Sequence, residues 1–341
     1  MKSIILVGGK GTRLRPLTFE TPKQMLPLVG TPMIECVFES LASHGVTEAV
    51  LSLGYLPESF IEAYPTNVIA GVKVTYAVEP EPLDTAGAIR FAAEFAGLDE
   101  TFLVVNGDVL TDLDITRLLA FHRERGAEAT IALHPVEDPS RFGVVPTTPE
   151  GKVIAFVEKP PRDEAPTNQI NAGTYVFEPS VLARIAPEGR VSVERETFPA
   201  LAADGVLYAL ADEKYWLDTG TPQAFIKANV DLLKGREHVH EFVGIENGSW
   251  IHPSATVDPS AKIINSVIDR DCIVSHNAIL IESILMPGAV IQADAKVSSS
   301  IIGPGAVVGS SSVLGAICVV GANVHVAPKS ELSGDVRLGG V

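Results

Sequence analysis

The chain opens on an apolar run, Ile4-Ile5-Leu6-Val7, that stops at a glycine pair. A short aliphatic run bounded by glycine reads as a buried strand. Residues 32–44 then carry Ile34, Val37, Phe38 and Leu41 at helical spacing, which predicts an amphipathic helix. A strand over 50–53, a short helix over 58–64, a strand over 72–76, a helix over 85–95 and a strand over 102–105 follow. Strands alternating with helices predict an α/β domain, a mostly parallel Rossmann-like sheet covered by helices on both faces. In such sheets ligands bind beyond the carboxyl ends of the strands, where the glycine pair lies. The later stretches 129–135, 143–146, 153–158 and 174–177 are shorter and richer in strand. They suggest an inserted subregion that mixes the sheet and supplies a second wall.

After Asn247 the period changes. Aliphatic residues recur every six positions at Ile302, Val308, Leu314, Val320, Val326, Leu332 and Leu338. Before them, Ile251, Ile268, Leu285 and Ile302 begin successive units of 17 residues, each of two hexads and a five-residue step. Gly, Ala, Pro and Ser fill the places between. This period predicts a three-sided parallel β-helix in which each hexad is one side of a coil. The expected organisation is a domain over 1–235, a linker over 236–250 and the β-helix over 251–341.

A length of 341 residues agrees with two domains. A hydrophobic share of 46% with 20% charged residues is that of a soluble globular protein. No apolar run approaches the roughly 18 residues of a membrane span, so no membrane partner is expected. The first strand is expected to begin within two residues of the start, which leaves no room for a signal peptide. Cys36, Cys272 and Cys318 are too few and too scattered for a disulfide framework or a zinc site, and a reducing cytoplasm is the expected setting. His238 and His240, beside the linker, lack surrounding carboxylates, and no metal is expected there. The formal net charge of −16 argues against a nucleic-acid surface. It also means that a polyanionic ligand must be drawn by a local basic cluster or a bound cation.

Such a cluster follows the first strand. Gly8-Gly9-Lys10-Gly11-Thr12-Arg13-Leu14 fits neither the P-loop nor the dinucleotide loop pattern. Its glycines let backbone N–H groups approach an anion. Arg13 can offer a planar fork to phosphate oxygens, and Lys23 a point charge. Taken alone, the loop has a plain alternative reading as a tight turn. Asn106-Gly107-Asp108 ends a strand in a carboxylate, a hard oxygen ligand for Mg²⁺ or else a cap. Glu158-Lys159-Pro160, Asn171-Ala172-Gly173 and Trp216-Leu217-Asp218-Thr219-Gly220 are polar stretches whose plain readings are a surface pair, a turn and a capping carboxylate.

In this order, and with Pro22-Lys23 and Phe142-Gly143-Val144-Val145, these motifs resemble the sugar-1-phosphate nucleotidyltransferases over residues 1 to 235. Within that family the chain is most similar to mannose-1-phosphate guanylyltransferases. Supporting stretches are Tyr55-Leu56-Pro57-Glu58, Glu79-Pro80-Glu81-Pro82-Leu83-Asp84-Thr85-Ala86-Gly87 and Ser192-Val193-Glu194-Arg195-Glu196-Thr197-Phe198-Pro199. The family often carries a C-terminal left-handed β-helix. The resemblance implies that a sugar 1-phosphate attacks the α-phosphorus of a nucleoside triphosphate and that pyrophosphate leaves. It implies Mg²⁺ at Asp108 and Asp218, Arg13 on the departing pyrophosphate, and Lys23 on the nucleotide phosphates. Gly8, Gly9, Gly11, Thr12, Gln24, Asp84, Gly87, Asn106 and Gly107 would border the nucleotide. Lys159 would hold the sugar phosphate, and Gly143, Glu158 and Asn171 the sugar hydroxyls. GTP and mannose 1-phosphate are the expected substrates.

The chain departs from the family pattern twice. Asp84 replaces the first glycine of the usual Leu-Gly-Thr-Ala-Gly; it either reads guanine through its carboxylate or caps the helix that begins near Thr85. Gln24, after Lys23, resembles thymidylyltransferases instead, which keeps a glucose-1-phosphate thymidylyltransferase or another sugar-nucleotide pyrophosphorylase as the alternative. His252, His276 and His325 allow a β-helix acyltransferase, and a catalytically silent regulatory homologue is a third class. Retention of Arg13, Lys23, Asp108, Lys159 and Asp218 speaks against silence. The regular β-helix is expected to mediate a homo-oligomer.

Overall fold

The computed structural model describes residues 1–235 and 242–339; His238, His240 and the first part of the expected linker lie outside the described residues. Seven strands carry the main sheet: β1 (Lys2–Leu6), β2 (Glu48–Leu53), β3 (Val72–Val78), β4 (Phe102–Asn106), β5 (Ala129–Pro135), β6 (Gln169–Phe177) and β7 (Leu207–Ala211). Their order is β3-β2-β1-β4-β6-β5-β7. The first four are parallel, with Leu6 opposite both Ser52 and Asn106. β6 runs antiparallel to β4 and β5, and β7 is parallel to β5. The opening apolar run is therefore a central strand, and Ile4 and Ile5 are fully buried, as a strand covered on both faces requires.

The helices start near their expected places. α1 (Met33–Ser43), α2 (Pro57–Ala63) and α3 (Asp84–Ala96) correspond to the three sequence-predicted helices. α3 ends on Gly97 in the left-handed region, a C-terminal stop that suits glycine. It lays Ile89, Ala92 and Ala93 on the sheet, in one core with Ile4, Phe102, Ile131, Tyr175 and Phe177. α4 (Ile115–Arg125), α5 (Phe198–Ala203) and α6 (Pro222–Leu233) were not anticipated by the hydrophobic pattern. α4 carries a legible signal: Asp114 caps the Arg117 amide, and Ile115, Leu118, Leu119 and His122 form its buried stripe.

Backbone contacts divide the described chain into two units, Met1–Gly8 with Val37–Trp216, and Gly9–Cys36 with the residues from Leu217 onward. The glycine loop after Gly8 thus belongs to the same unit as the β-helix. Within that unit three parallel sheets wind into coils, and the hexads of the sequence are their sides. Successive coils are offset by 17 residues (Ile251 to Ile268, Leu285 to Ile302) and then by 18 (Ile302 to Val320), as the repeat predicts. This is the three-sided parallel β-helix expected from the repeat, consistent with the left-handed β-helix that the resemblance implied. Its inward row, Ile268, Leu285, Ile302 and Val320 with Leu280, Val297 and Leu314, is buried. Ile251 is the exception at 40% exposed, because no coil precedes it in the stack.

A second periodicity lies in the corners. The amides of Ser266, Ser283, Ser300 and Cys318 donate to the hydroxyls of Ser249, Ser266, Ser283 and Ser300, at 3.1–3.4 Å. Each buried hydroxyl thereby satisfies the next coil's backbone, which explains the serines of the repeat. Corners also take positive φ, at Asn265 beside the serine ladder and at Asp271, Asn277 and Asp294 elsewhere, residue types that tolerate the left-handed region.

Candidate active site

The carboxyl edge of the parallel strands gathers one wall. Gly8 follows β1, Gly54 follows β2, Glu79 follows β3, and Asn106-Gly107-Asp108 ends β4. The Gly107 amide donates to the Leu6 carbonyl at 3.0 Å, and a Cβ at Gly107 would lie 2.6 Å from Val7. Only glycine lets the two strand ends close up there. Glu79 was not singled out from the sequence as a site residue. Its carboxylate sits beside Gly8 and Gly54, 3.3 Å and 3.5 Å from where their Cβ atoms would stand. Ser52 Oγ donates to Glu79 Oε1 at 3.1 Å and the Leu83 amide to Oε2 at 3.3 Å. The signal that could have found it is the one that found Asp108: a carboxylate directly after a strand run.

Asp84 takes φ of 62°, which explains why the family pattern places glycine here and why an aspartate is tolerated. Its Oδ1 accepts the amide of the next residue, Thr85, at 2.9 Å, so the carboxylate is engaged locally at the start of α3. Thr85 in turn donates from Oγ1 to Glu194 Oε2 at 2.7 Å, which ties the Glu79–Gly87 stretch to the Ser192–Pro199 stretch. Gly87 is buried at that junction, its amide donating to the Val191 carbonyl.

The antiparallel strands bring the expected sugar-side residues together. Gly143 pairs with Glu158, and a Cβ on Gly143 would strike the Phe156 ring at 2.3 Å. Lys159 Nζ donates to Glu158 Oε1 at 2.6 Å. One strand over, β6 is interrupted between Asn171 and Tyr175, a bulge that turns on Gly173 at φ 78°. Asn171 Oδ1 accepts the Gly173 amide and its Nδ2 donates to Tyr175 Oη, both at 2.9 Å, so its amide is held fixed. Burial is the first cause that pushes the Tyr175 phenol above its usual range, with the charges of Glu194, Glu158 and Asp108 adding to it. Tyr175 therefore stays protonated. Gly173 lies against Asn106: a Cβ there would come within 2.6 Å of Nδ2. Asn106, of the expected nucleotide set, thus lies against the bulge that fixes Asn171, of the expected sugar set.

The second unit carries the loop. Gly11, at φ 58°, precedes a tight turn over Thr12–Leu14, and its carbonyl accepts Thr18 Oγ1 at 2.8 Å. Lys23 folds over the loop, with Nζ 3.8 Å from where a Gly9 Cβ would stand. Arg13 leans on the Trp216-to-Gly220 motif: Nη2 lies 3.7 Å from Asp218 Oδ2, and a Cβ on Gly220 would stand 2.6 Å from Nη2. The Gly220 amide donates to Asp218 Oδ1 at 2.8 Å. Arg13, Lys23, Gly9, Gly11, Asp218 and Gly220 therefore form one cluster of cations, open backbone and a carboxylate. Gln24 departs from expectation, being 1% exposed, with no protein partner for Oε1 among the described residues.

The sequence profile of the family described as "Nucleotidyl transferase" matches residues 2–235. The chain belongs to this family. A second profile, "GMPPB C-terminal domain", matches residues 245–338. A relative from Mycobacterium tuberculosis named mannose-1-phosphate guanylyltransferase is 43% identical over 78% of this chain and 74% of its own. The mannose-1-phosphate guanylyltransferase catalytic subunit beta of Dictyostelium discoideum is 40% identical over 77% and 73%. Among solved structures, HddC from Yersinia pseudotuberculosis complexed with GMP-PN matches with a TM-score of 0.59 and 29% identity, over 68% of this chain and 99% of that one.

As a member of this family the chain is an enzyme, joining a nucleoside triphosphate and a sugar 1-phosphate into a sugar nucleotide with release of pyrophosphate. His276 and His325 are exposed, and His252 is hydrogen-bonded to Ser254 Oγ at 2.9 Å. The three cysteines are buried free thiols. Among the described residues no helix is long and apolar enough to cross a membrane.

Proposed function

We propose that the enzyme transfers the guanylyl group of GTP to mannose 1-phosphate, giving GDP-mannose and pyrophosphate. The observation that carries the choice of base is the Glu79 carboxylate fixed beside Gly8 at the loop entrance. Guanine presents adjacent N–H donors on N1 and the 2-amino group, and a carboxylate is acceptor-only, with lone pairs on both oxygens. Each Glu79 oxygen uses one lone pair on Ser52 or Leu83, which leaves another for such donors. Uracil and thymine offer a single ring N–H flanked by carbonyls, which a carboxylate would repel. The names of the curated relatives support the same choice and supply mannose as the sugar.

The reaction needs two repelling phosphates brought into line and the developing charge on pyrophosphate neutralised. The open backbone of Gly9 and Gly11 would admit the triphosphate, with Lys23 as its point charge. Arg13 would stabilise the departing pyrophosphate with its planar fork. Its resting partner, Asp218, holds it at 3.7 Å, a contact loose enough to be exchanged for phosphate. Lys159 would receive the sugar phosphate, and Glu158, Asn171 and the Gly143 backbone the hydroxyls. Asp108 and Asp218 are the residues that would hold Mg²⁺, and hard carboxylate oxygens suit an ion usually held by one or two carboxylates plus substrate phosphates. Held there, Mg²⁺ would supply positive charge that offsets the charge of the substrate phosphates.

We further propose a homo-oligomer built on the β-helix, in a cytoplasmic protein. Its outward aliphatic residues Ile264, Ile273, Ile281 and Val313 are 38–45% exposed. The specificity is tested with a matrix of nucleoside triphosphates against sugar 1-phosphates, read by pyrophosphate release. GTP with mannose 1-phosphate is expected to give the highest kcat/KM. A higher value with glucose 1-phosphate would replace the guanylyl reading, by the thymidylyl alternative if the nucleotide is dTTP and by another sugar-nucleotide pyrophosphorylase if it is UTP.

A further inference from the structure

We propose that the last coil of the β-helix positions the catalytic loop, with Arg337 as the positioning residue. This rests on the reading of Arg13 as the group that stabilises pyrophosphate. Arg337 Nη1 donates to the Arg13 carbonyl at 3.0 Å and to the Arg15 carbonyl at 3.2 Å. Its Nε is anchored by Asp335 Oδ1 at 2.6 Å. Within the turn, the Gly11 and Thr12 carbonyls are already taken by the Leu14 and Arg15 amides. The Arg13 and Arg15 carbonyls are the ones turned to the β-helix, and the clamp grips the backbone of Arg13 itself.

A second contact fixes the same turn. The buried ring of Pro16 lies between Gly321 and Gly339, where a Cβ on either glycine would stand 3.0–3.1 Å from proline carbons. Further along the segment, Trp250 packs on Gly30 so closely that a Cβ would fall 2.3 Å from its ring. The Arg13 backbone is thus held from the β-helix side, and its guanidinium from the other side by Asp218 and Gly220. Arg337 is not itself an expected substrate contact, and among the described residues it meets the site only through the backbone of Arg13 and Arg15. Its effect on rate must pass through the placement of Arg13, where a displacement of about 1 Å can cost on the order of 10²-fold.

The test compares Arg337→Ala, Arg337→Lys, Arg13→Ala and the Arg13→Ala/Arg337→Ala double variant in the full chain, by kcat, KM and melting temperature. Arg337→Ala is expected to lower kcat by about tenfold to a hundredfold, with KM for the sugar phosphate and the melting temperature close to wild type. Arg337→Lys should recover most of the loss, since an ammonium can donate to both carbonyls. The double variant should be no slower than Arg13→Ala, because one residue acts through the other. Wild-type kcat in Arg337→Ala, losses that add in full in the double variant, or a fall in melting temperature that accounts for the loss would overturn the clamp. If Arg13→Ala is impaired and Arg337→Ala is not, only the clamp falls. If Arg13→Ala keeps more than about a tenth of wild-type kcat, the role of Arg13 falls and the clamp with it.

Discussion

Arg13 is exposed, and its resting contact is a carboxylate 3.7 Å away, so its removal should disturb little except the reaction. Arg13→Ala is expected to lower kcat by about 10²–10³-fold, the usual cost of losing one charge-stabilising group, measured by steady-state pyrophosphate release. Base choice separates two carboxylates five residues apart. Glu79→Gln should reduce kcat/KM for GTP by about tenfold to a hundredfold, the roughly 1.5–3 kcal/mol of a charged hydrogen bond. Asp84→Asn should leave the preference for GTP over UTP unchanged, because Asp84 already serves the Thr85 amide. The reverse pattern would return the base reading to Asp84. Arg13, Lys23, Asp108 and Asp218 could be singled out in the sequence as candidates because they stand in ordered motifs, and their proposed roles come from the family resemblance. Glu79 was passed over although it directly follows a strand run, because its place beside Gly8 and Gly54 depends on neighbours from other strands, and the burial of Gln24, a candidate in the sequence, could not be read from its motif.

Elements differ in how openly they announce themselves. The β-helix could be read down to its change from 17-residue to 18-residue coils, because every inward position repeats one requirement. The parallel strands were legible for a similar reason, being buried on both faces. α4 was missed although its cap and stripe were present, its apolar positions being diluted by arginines. The bulge in β6 could not be read either: Asn171-Ala172-Gly173 looks like an ordinary turn until Gly173 is seen against Asn106. Gly173→Ala tests that contact. At φ 78° and 2.6 Å from Asn106 Nδ2, the added methyl should destabilise the chain by about 1–3 kcal/mol. It should also impair catalysis by displacing Asn106 and Asn171. Denaturant titration and steady-state kinetics check the two effects, and a fully active, equally stable variant would contradict the account of the bulge.

At the scale of the whole molecule, the boundary suggested by composition and the compact units of the structure fall in different places. The sequence period changes after Asn247, yet the loop segment Gly9–Cys36 belongs with the β-helix, held by Pro16 in its glycine notch and Gly30 under Trp250. Periodicity cannot reveal this, because the contacts join residues 220 to 324 positions apart. Truncation after residue 235 should therefore abolish activity rather than release a working catalytic core, checked by assay and melting of the shortened chain. A shortened chain with wild-type kcat would contradict it. The central claim, guanylyl transfer at the α-phosphorus, is tested most directly by incubating the full chain and mannose 1-phosphate with GTP labelled at the α- or the γ-phosphate. The account predicts α-label in GDP-mannose and γ-label in pyrophosphate. No transfer of the α-label to the sugar, under conditions where another nucleoside triphosphate is consumed, would contradict it.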